Sequence, residues 1–237
     1  MSENGEYLPM HFLPEKPDGM KADCLISVGP NCRPAGQLKK NNMKRSRFPL
    51  DWMGFSADAM VHCIDTSFSD FFLEYKKDPF DGEQPQRCHF ARDINNDIRT
   101  IHNLPITVPF DEAVRDFQRL VRESWNTFCT RMADVKSVIL FGSYSDPEDA
   151  QKILRAFQIR FPNTLFRIVN ISHRENCPED EIGYIKVNDS FDQYYMCDQF
   201  EPDFWLGNMS GWKAVLSLYS EIGSSEEPSD PNNTSDA

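Results

Sequence analysis

The stretch Cys24-Leu25-Ile26-Ser27-Val28-Gly29-Pro30-Asn31-Cys32-Arg33-Pro34-Ala35-Gly36-Gln37-Leu38 constrains the fold more than any other part of the chain. A short apolar run with β-branched residues meets a Gly-Pro-Asn breaker, and helix-forming composition follows, with Pro34 suited to a first turn. This order predicts a strand, a tight loop and a helix. Cys32 then falls at or beside the helix N-terminus, where unpaired backbone N–H groups and the helix dipole favour an anion, including a thiolate. Its pKa is expected to fall below that of free cysteine. The same position also suits an inert structural cysteine, because free Cys is among the most buried residue types.

The elements that follow alternate. Ser137–Gly142, Leu165–Asn170 and Gly183–Val187 read as strands, with a helix over Pro147–Phe161 between the first two. The longest helix is expected over Asp111–Met132, with Val114, Phe117, Leu120, Val121, Trp125 and Phe128 on one face. Ser56 is placed to cap a helix carrying Ala59, Met60 and Cys63, and a last helix begins after Asn208. Cys88–Phe90 and Ile98–His102 read as short strands around the Asn95-Asn96-Asp97 turn. The pattern predicts a single α/β domain, a mostly parallel sheet with helices on both faces in a three-layer, Rossmann-like order. In such sheets ligands bind outside the carboxyl ends of the strands, where the loop at Cys32 and the loop Ser143–Asp146 are expected to meet. Residues 1–22 are expected to be an extended arm, 23–222 the domain, and 223–237 a disordered acidic tail.

Charge narrows the partners. Lys+Arg 25 against Asp+Glu 37 gives a formal charge of −12, which argues against nucleic acid or a membrane surface as a partner. No apolar run reaches a membrane-spanning length and no cationic, hydrophobic leader is present, so a cytoplasmic location is expected. The seven cysteines are odd in number and scattered, and are read as reduced thiols. The Cys88-His89 doublet and His173-x-x-x-Cys177 are isolated halves of a metal site, so no metal is expected. With no phosphate-binding glycine motif, no cofactor is expected either. One local feature runs against the overall acidity. Between Asp23 and Asp51 there is no acidic residue, while Arg33, Lys39, Lys40, Lys44, Arg45 and Arg47 cluster there. Such an island draws an anionic substrate group, or else is a solvated helix face.

Three segments together resemble a known family. They are Ser27-Val28-Gly29-Pro30-Asn31-Cys32-Arg33, then Phe48-Pro49-Leu50-Asp51-Trp52, then Ile98-Arg99-Thr100-Ile101-His102-Asn103-Leu104. Their order and spacing resemble a bacterial family of papain-like cysteine peptidases, a domain of unknown function. Its pattern is a strand ending Leu-Gly-Ser-Asn-Cys-Gln, a Pro-Phe-Asp-Trp turn and a Phe-x-His-Asp-Phe segment. The resemblance implies Cys32 as the thiol and His102 as its partner. Here Arg33 stands in place of Gln, Leu50 in place of Phe and Asn103 in place of Asp.

A thiol nucleophile needs an imidazole within reach and a third group to fix the ring. His89 is the rival to His102. Asp51 is expected as the orienting acid, with Asp146, at a strand exit, in reserve, and a turn or helix-capping carboxylate is the plainer role for Asp51. Asn31 is a candidate oxyanion donor beside the Cys32 N–H, and Arg33, Trp52 and Asp146 are candidate substrate contacts. The functional expectation is a thiol-dependent hydrolase. An acyl- or glycosyl-transferase using a phosphorylated donor and a non-catalytic anion- or partner-binding module remain as alternatives.

Overall fold

Side-chain alternation on two neighbouring strands divides the core in two. The computed structural model describes residues 9–43, 48–79, 87–198 and 205–222. The N-terminal part runs β1 (His11–Leu13), β2 (Met20–Ala22), β3 (Cys24–Ser27), α1 (Arg33–Lys40), β4 (Met53–Gly54) and α2 (Ala57–Asp65). The middle runs β5 (Tyr75–Lys77), β6 (Ala91–Asp93), β7 (Arg99–Thr100), α3 (Phe110–Met132), β8 (Ser137–Gly142) and α4 (Pro147–Arg160). β9 (Leu165–His173), β10 (Glu181–Asn188), β11 (Phe191–Met196), α5 (Met209–Leu216) and β12 (Tyr219–Glu221) complete it.

The result is a mixed α/β fold around a six-stranded, mostly parallel sheet of order β1-β10-β11-β9-β8-β3. β3, β8, β9 and β11 run parallel, and β10 returns antiparallel to β11. Cys24, Ile26, Val138 and Leu140 join one apolar cluster with Met60 of α2, Phe117 and Trp125 of α3, and Phe157 of α4. The alternate residues Leu25, Ile139 and Phe141 join a second cluster with Leu38 of α1 and Trp212 of α5. Each large apolar side chain so buried contributes roughly 1.5–3 kcal/mol. A smaller antiparallel sheet, β4-β7-β6-β5, stands apart, and β12 pairs with β2.

Local chemistry sets the helix starts. The Ser56 hydroxyl accepts from the Ala59 N–H at 3.1 Å, Asp146 Oδ1 from Glu148 at 2.9 Å, and Asn208 Oδ1 from Gly211 at 2.8 Å. Such caps are worth about 0.5–2 kcal/mol each.

Several expectations change. The segment expected to be an extended arm supplies β1 and β2, because each finds an open strand to pair with, β10 and β12. Leu120 is 52% exposed, on the flank of the α3 stripe rather than in it. Cys88 forms only an isolated bridge to Pro105, and the predicted strand over Ile98–His102 shrinks to β7. The tail 223–237 and the basic residues Lys44, Arg45 and Arg47 lie outside the described residues. Among the described residues no helix is long and apolar enough to cross a membrane, and no cluster of three metal-capable side chains occurs.

Candidate active site

The β3-to-α1 turn lies at the carboxyl edge of the parallel strands. The Val28 N–H donates to the Phe141 carbonyl at 2.8 Å, and the Tyr144 hydroxyl donates to the Val28 carbonyl at 2.7 Å. The loops after β3 and β8 therefore meet, as parallel neighbours must. Asn31 Oδ1 accepts from the Arg33 N–H at 2.9 Å, and the Cys32 carbonyl accepts from Gly36 at 2.9 Å. Cys32 is the half-buried first residue of this helical turn.

Its electrostatics differ from expectation. Burial pushes the Cys32 thiol above its ordinary pKa, and its own N–H and the Arg33 charge offset this only in part. The expected acidic thiol is thus replaced by a protonated one. Two features leave few free N–H groups at this helix start. Pro34 supplies no N–H, and the Arg33 N–H is already bonded to Asn31.

Arg33 also departs from the role of an anion collector. Its side chain is only 6% exposed, and its guanidinium donates to Asp198 Oδ2 at 2.7 Å, to the Asp198 carbonyl at 2.9 Å and to the Trp205 carbonyl at 3.1 Å. One turn later the buried Gln37 amide donates to the Leu206 carbonyl at 2.6 Å. Trp205 packs so closely on α1 that a Cβ on Gly36 would come within 2.5 Å of its ring. Gly207 has φ +68, and a side chain there would strike the Asp198 carboxylate. These contacts clamp the cysteine's helix to the segment before α5. Of the basic island, Lys39 and Lys40 are exposed, and the Lys39 ammonium lies 6.0 Å from the Trp52 ring centroid.

The Phe48–Trp52 turn is fixed from beneath. The Phe48 ring meets Trp125, Phe128 and Phe157 at centroid distances of 6.5, 5.2 and 5.9 Å. Asp51, 4% exposed, accepts from the Ser27 hydroxyl and, at 2.7 Å, from the Phe48 N–H. No hydrogen bond joins it to His102. The Asp51 bonds to Ser27 and Phe48 tie the turn to the end of β3. Trp52 closes the turn at φ +67, a costly conformation for a bulky residue. Its ring meets His102 edge-on at 6.1 Å and Trp205 at 5.9 Å.

His102 follows β7, which pairs with β4 and so lies one strand from Trp52. The ring remains exposed over much of its area, and loss of water lowers its pKa, which favours the neutral form. No hydrogen bond links it to Cys32. The rival His89 is buried, with Nε2 2.9 Å from the Val108 carbonyl and its ring against Phe110. Asp146 is exposed, and its Oδ1 caps α4. Sequence reasoning missed Asp198, Gln37 and Trp205. Gly36, an unfavourable residue inside a helix, was the one local sign that something large packs there.

Residues 23–175 match the model of the family described as "Putative papain-like cysteine peptidase". The chain belongs to this family. The matched segment of this papain-like cysteine peptidase family member holds Cys32, Asp51, Trp52, His102 and Asp146, while Asp198 and Trp205 lie beyond it. No curated protein and no solved structure matches the chain.

Proposed function

We propose that the chain is a thiol-dependent hydrolase in which Cys32 Sγ attacks an acyl carbon and His102 accepts the thiol proton. The observation that carries this reading is the chain of aromatic contacts through Trp52. A half-buried thiol stands at a strand-to-helix turn, and Trp52 touches both the His102 ring and the Trp205 that packs on the thiol's helix. The reading takes the sheet as the middle layer of a Rossmann-like sandwich, with the reaction at its carboxyl edge.

The resting pair is a thiol and a neutral imidazole, since both pKa shifts favour the uncharged forms. Neutral imidazole is the form that accepts a proton. As sulfur bonds to carbon, the thiol proton passes to His102. The resulting imidazolium then protonates the leaving group. Water, deprotonated by His102, finally cleaves the thioester and restores the thiol. The Cys32 N–H and the Asn31 amide nitrogen supply the oxyanion contacts, and the Cys32-to-His102 hydrogen bond forms on substrate binding, as such bonds commonly do. Trp52 lines the approach. Asp51 holds its turn.

p-Nitrophenyl acetate tests this reading. Acetylation of Cys32 with continuous release of acetate to water supports the hydrolase. An acetyl-Cys32 that resists water but discharges to an added amine or thiol would instead indicate a transferase. No acetylation of Cys32 above that of other cysteines would leave a non-catalytic binding module.

A further inference from the structure

Cys177 and Cys197 are brought together by the way the sheet ends. In the parallel pair β9–β11, Met196 lies opposite His173, and the Arg174 N–H donates to the Met196 carbonyl at 2.9 Å. In the antiparallel pair β10–β11, Ile182 lies opposite the same Met196. Residue 197 therefore emerges between Arg174 on one side and Glu181 on the other, each about 4.8 Å away. The loop joining those two residues has to arch over it. Cys177 is near the middle of that loop, after a left-handed Asn176 at φ +57. Two bonds hold the arch in place. The Asp198 N–H donates to His173 Nδ1 at 3.0 Å, and the Asn208 amide donates to the Glu179 carbonyl at 3.0 Å.

Side-chain direction agrees. Along β11, Tyr194 and Met196 enter the core beside α5, so Tyr195 and Cys197 belong to the opposite face. Tyr195 and Cys177 line one groove of about 670 Å³ on that face. Cys197 is among the groups that act electrostatically on the Cys177 thiol, and both thiols are part-exposed. A disulfide spans a Cα separation of about 4.4–6.8 Å, comparable to the one-strand spacing between residue 197 and each end of the loop that carries Cys177.

We propose that Cys177 and Cys197 are a redox-active pair that closes to a disulfide by exchange with a small-molecule disulfide such as oxidised glutathione. One cysteine, as thiolate, attacks a glutathione sulfur and releases one glutathione thiolate. The second, deprotonated in turn, attacks the protein-bound sulfur of the mixed disulfide and releases the other. Two protein thiols are oxidised, one glutathione disulfide is reduced, and the two protons end on the two glutathione thiols. Burial raises both cysteines above their ordinary pKa, so exchange quickens as pH rises. The bond fixes the residue before Asp198, which holds Arg33 and with it the start of α1.

The test is oxidised glutathione added to the full chain, in wild type and in Cys32→Ser, followed by non-reducing peptide mass spectrometry. The Cys32→Ser arm separates this proposal from the assignment of Cys32 as nucleophile. The expected result in both is the loss of two hydrogen masses, a cross-linked Cys177–Cys197 peptide, and reversal by dithiothreitol. In Cys177→Ser the bridge is lost and Cys197 retains a stable glutathione adduct. Stable adducts on both cysteines of the unmutated pair, a bridge to any other cysteine in their place, or no reaction at either would overturn the proposal.

Discussion

The Arg33 guanidinium meets the Asp198 carboxylate at 2.7 Å with their side chains 6% and 1% exposed, and this pair ties the helix that begins at the thiol to a segment 165 residues later. Removing one member of a buried pair leaves the other charge without its partner, at a cost of about 3–5 kcal/mol. Asp198 also accepts from the Trp212 indole at 3.2 Å and from the Asn208 N–H at 2.7 Å, so its loss strands several donors at once. Asp198→Ala is expected to lower unfolding stability by about that amount in urea titrations. A change below about 1 kcal/mol would show the pair to be dispensable.

For Cys32 the prediction concerns sign. A buried thiol is protonated at neutral pH and ionises above the ordinary cysteine value. The thiolate absorbance lost in Cys32→Ser is therefore expected to develop only in the alkaline range, and iodoacetamide labelling of Cys32 to quicken steadily with pH. A labelling plateau reached below pH 7 would mean that the thiol is already an ion pair.

Trp52 is expected to set the His102 titration. With water excluded on the side facing the indole, His102 should titrate below 6.5 in the folded protein. Trp52→Ala re-exposes that side and should return the value toward 6.5, as followed by NMR of the imidazole. Because the folded pKa is depressed, this histidine detracts from stability as pH falls through 6.5 and is without effect well above it. An unchanged titration in Trp52→Ala would remove the indole as the cause.

Asp51→Asn separates a turn carboxylate from a member of a triad. Its bonds to Ser27 and Phe48 are buried, so the change is expected to cost about 1–3 kcal/mol of stability. The His102 titration should stay where it is. A shifted imidazole together with unchanged stability would restore Asp51 as the orienting group.

What the sequence made legible was what local pattern controls. The strand, turn and helix around Cys32, the caps at Ser56 and Asn208, and the apolar β8 each follow from a few adjacent residues. β11 went unpredicted because Asp192 and Gln193 interrupt its apolar run. Their partners come from afar: Asp192 pairs with Arg167, Tyr184 and Tyr219, and Gln193 bonds Asn170 and Ser172. The charge of Arg33 was legible and its direction was not, since Asp198 carries no local sign of the pairing. The thiol's pKa was misjudged for the same reason, because desolvation depends on what packs from distant segments.

The order of the strands has a consequence for dissection of the molecule. The family resemblance ends at residue 175, yet β11 is inserted in the sheet between β9 and β10 and comes later in the chain. Cutting at that boundary would strip one side of β9 along Ile168–His173, leaving a row of unpaired amides and carbonyls beside apolar Val169 and Ile171. Such a naked edge recruits strands from other molecules. The segment that sequence likeness delimits is thus not an autonomous folding unit in this protein, and a fragment cut there is expected to self-associate until residues 176–222 are supplied in trans.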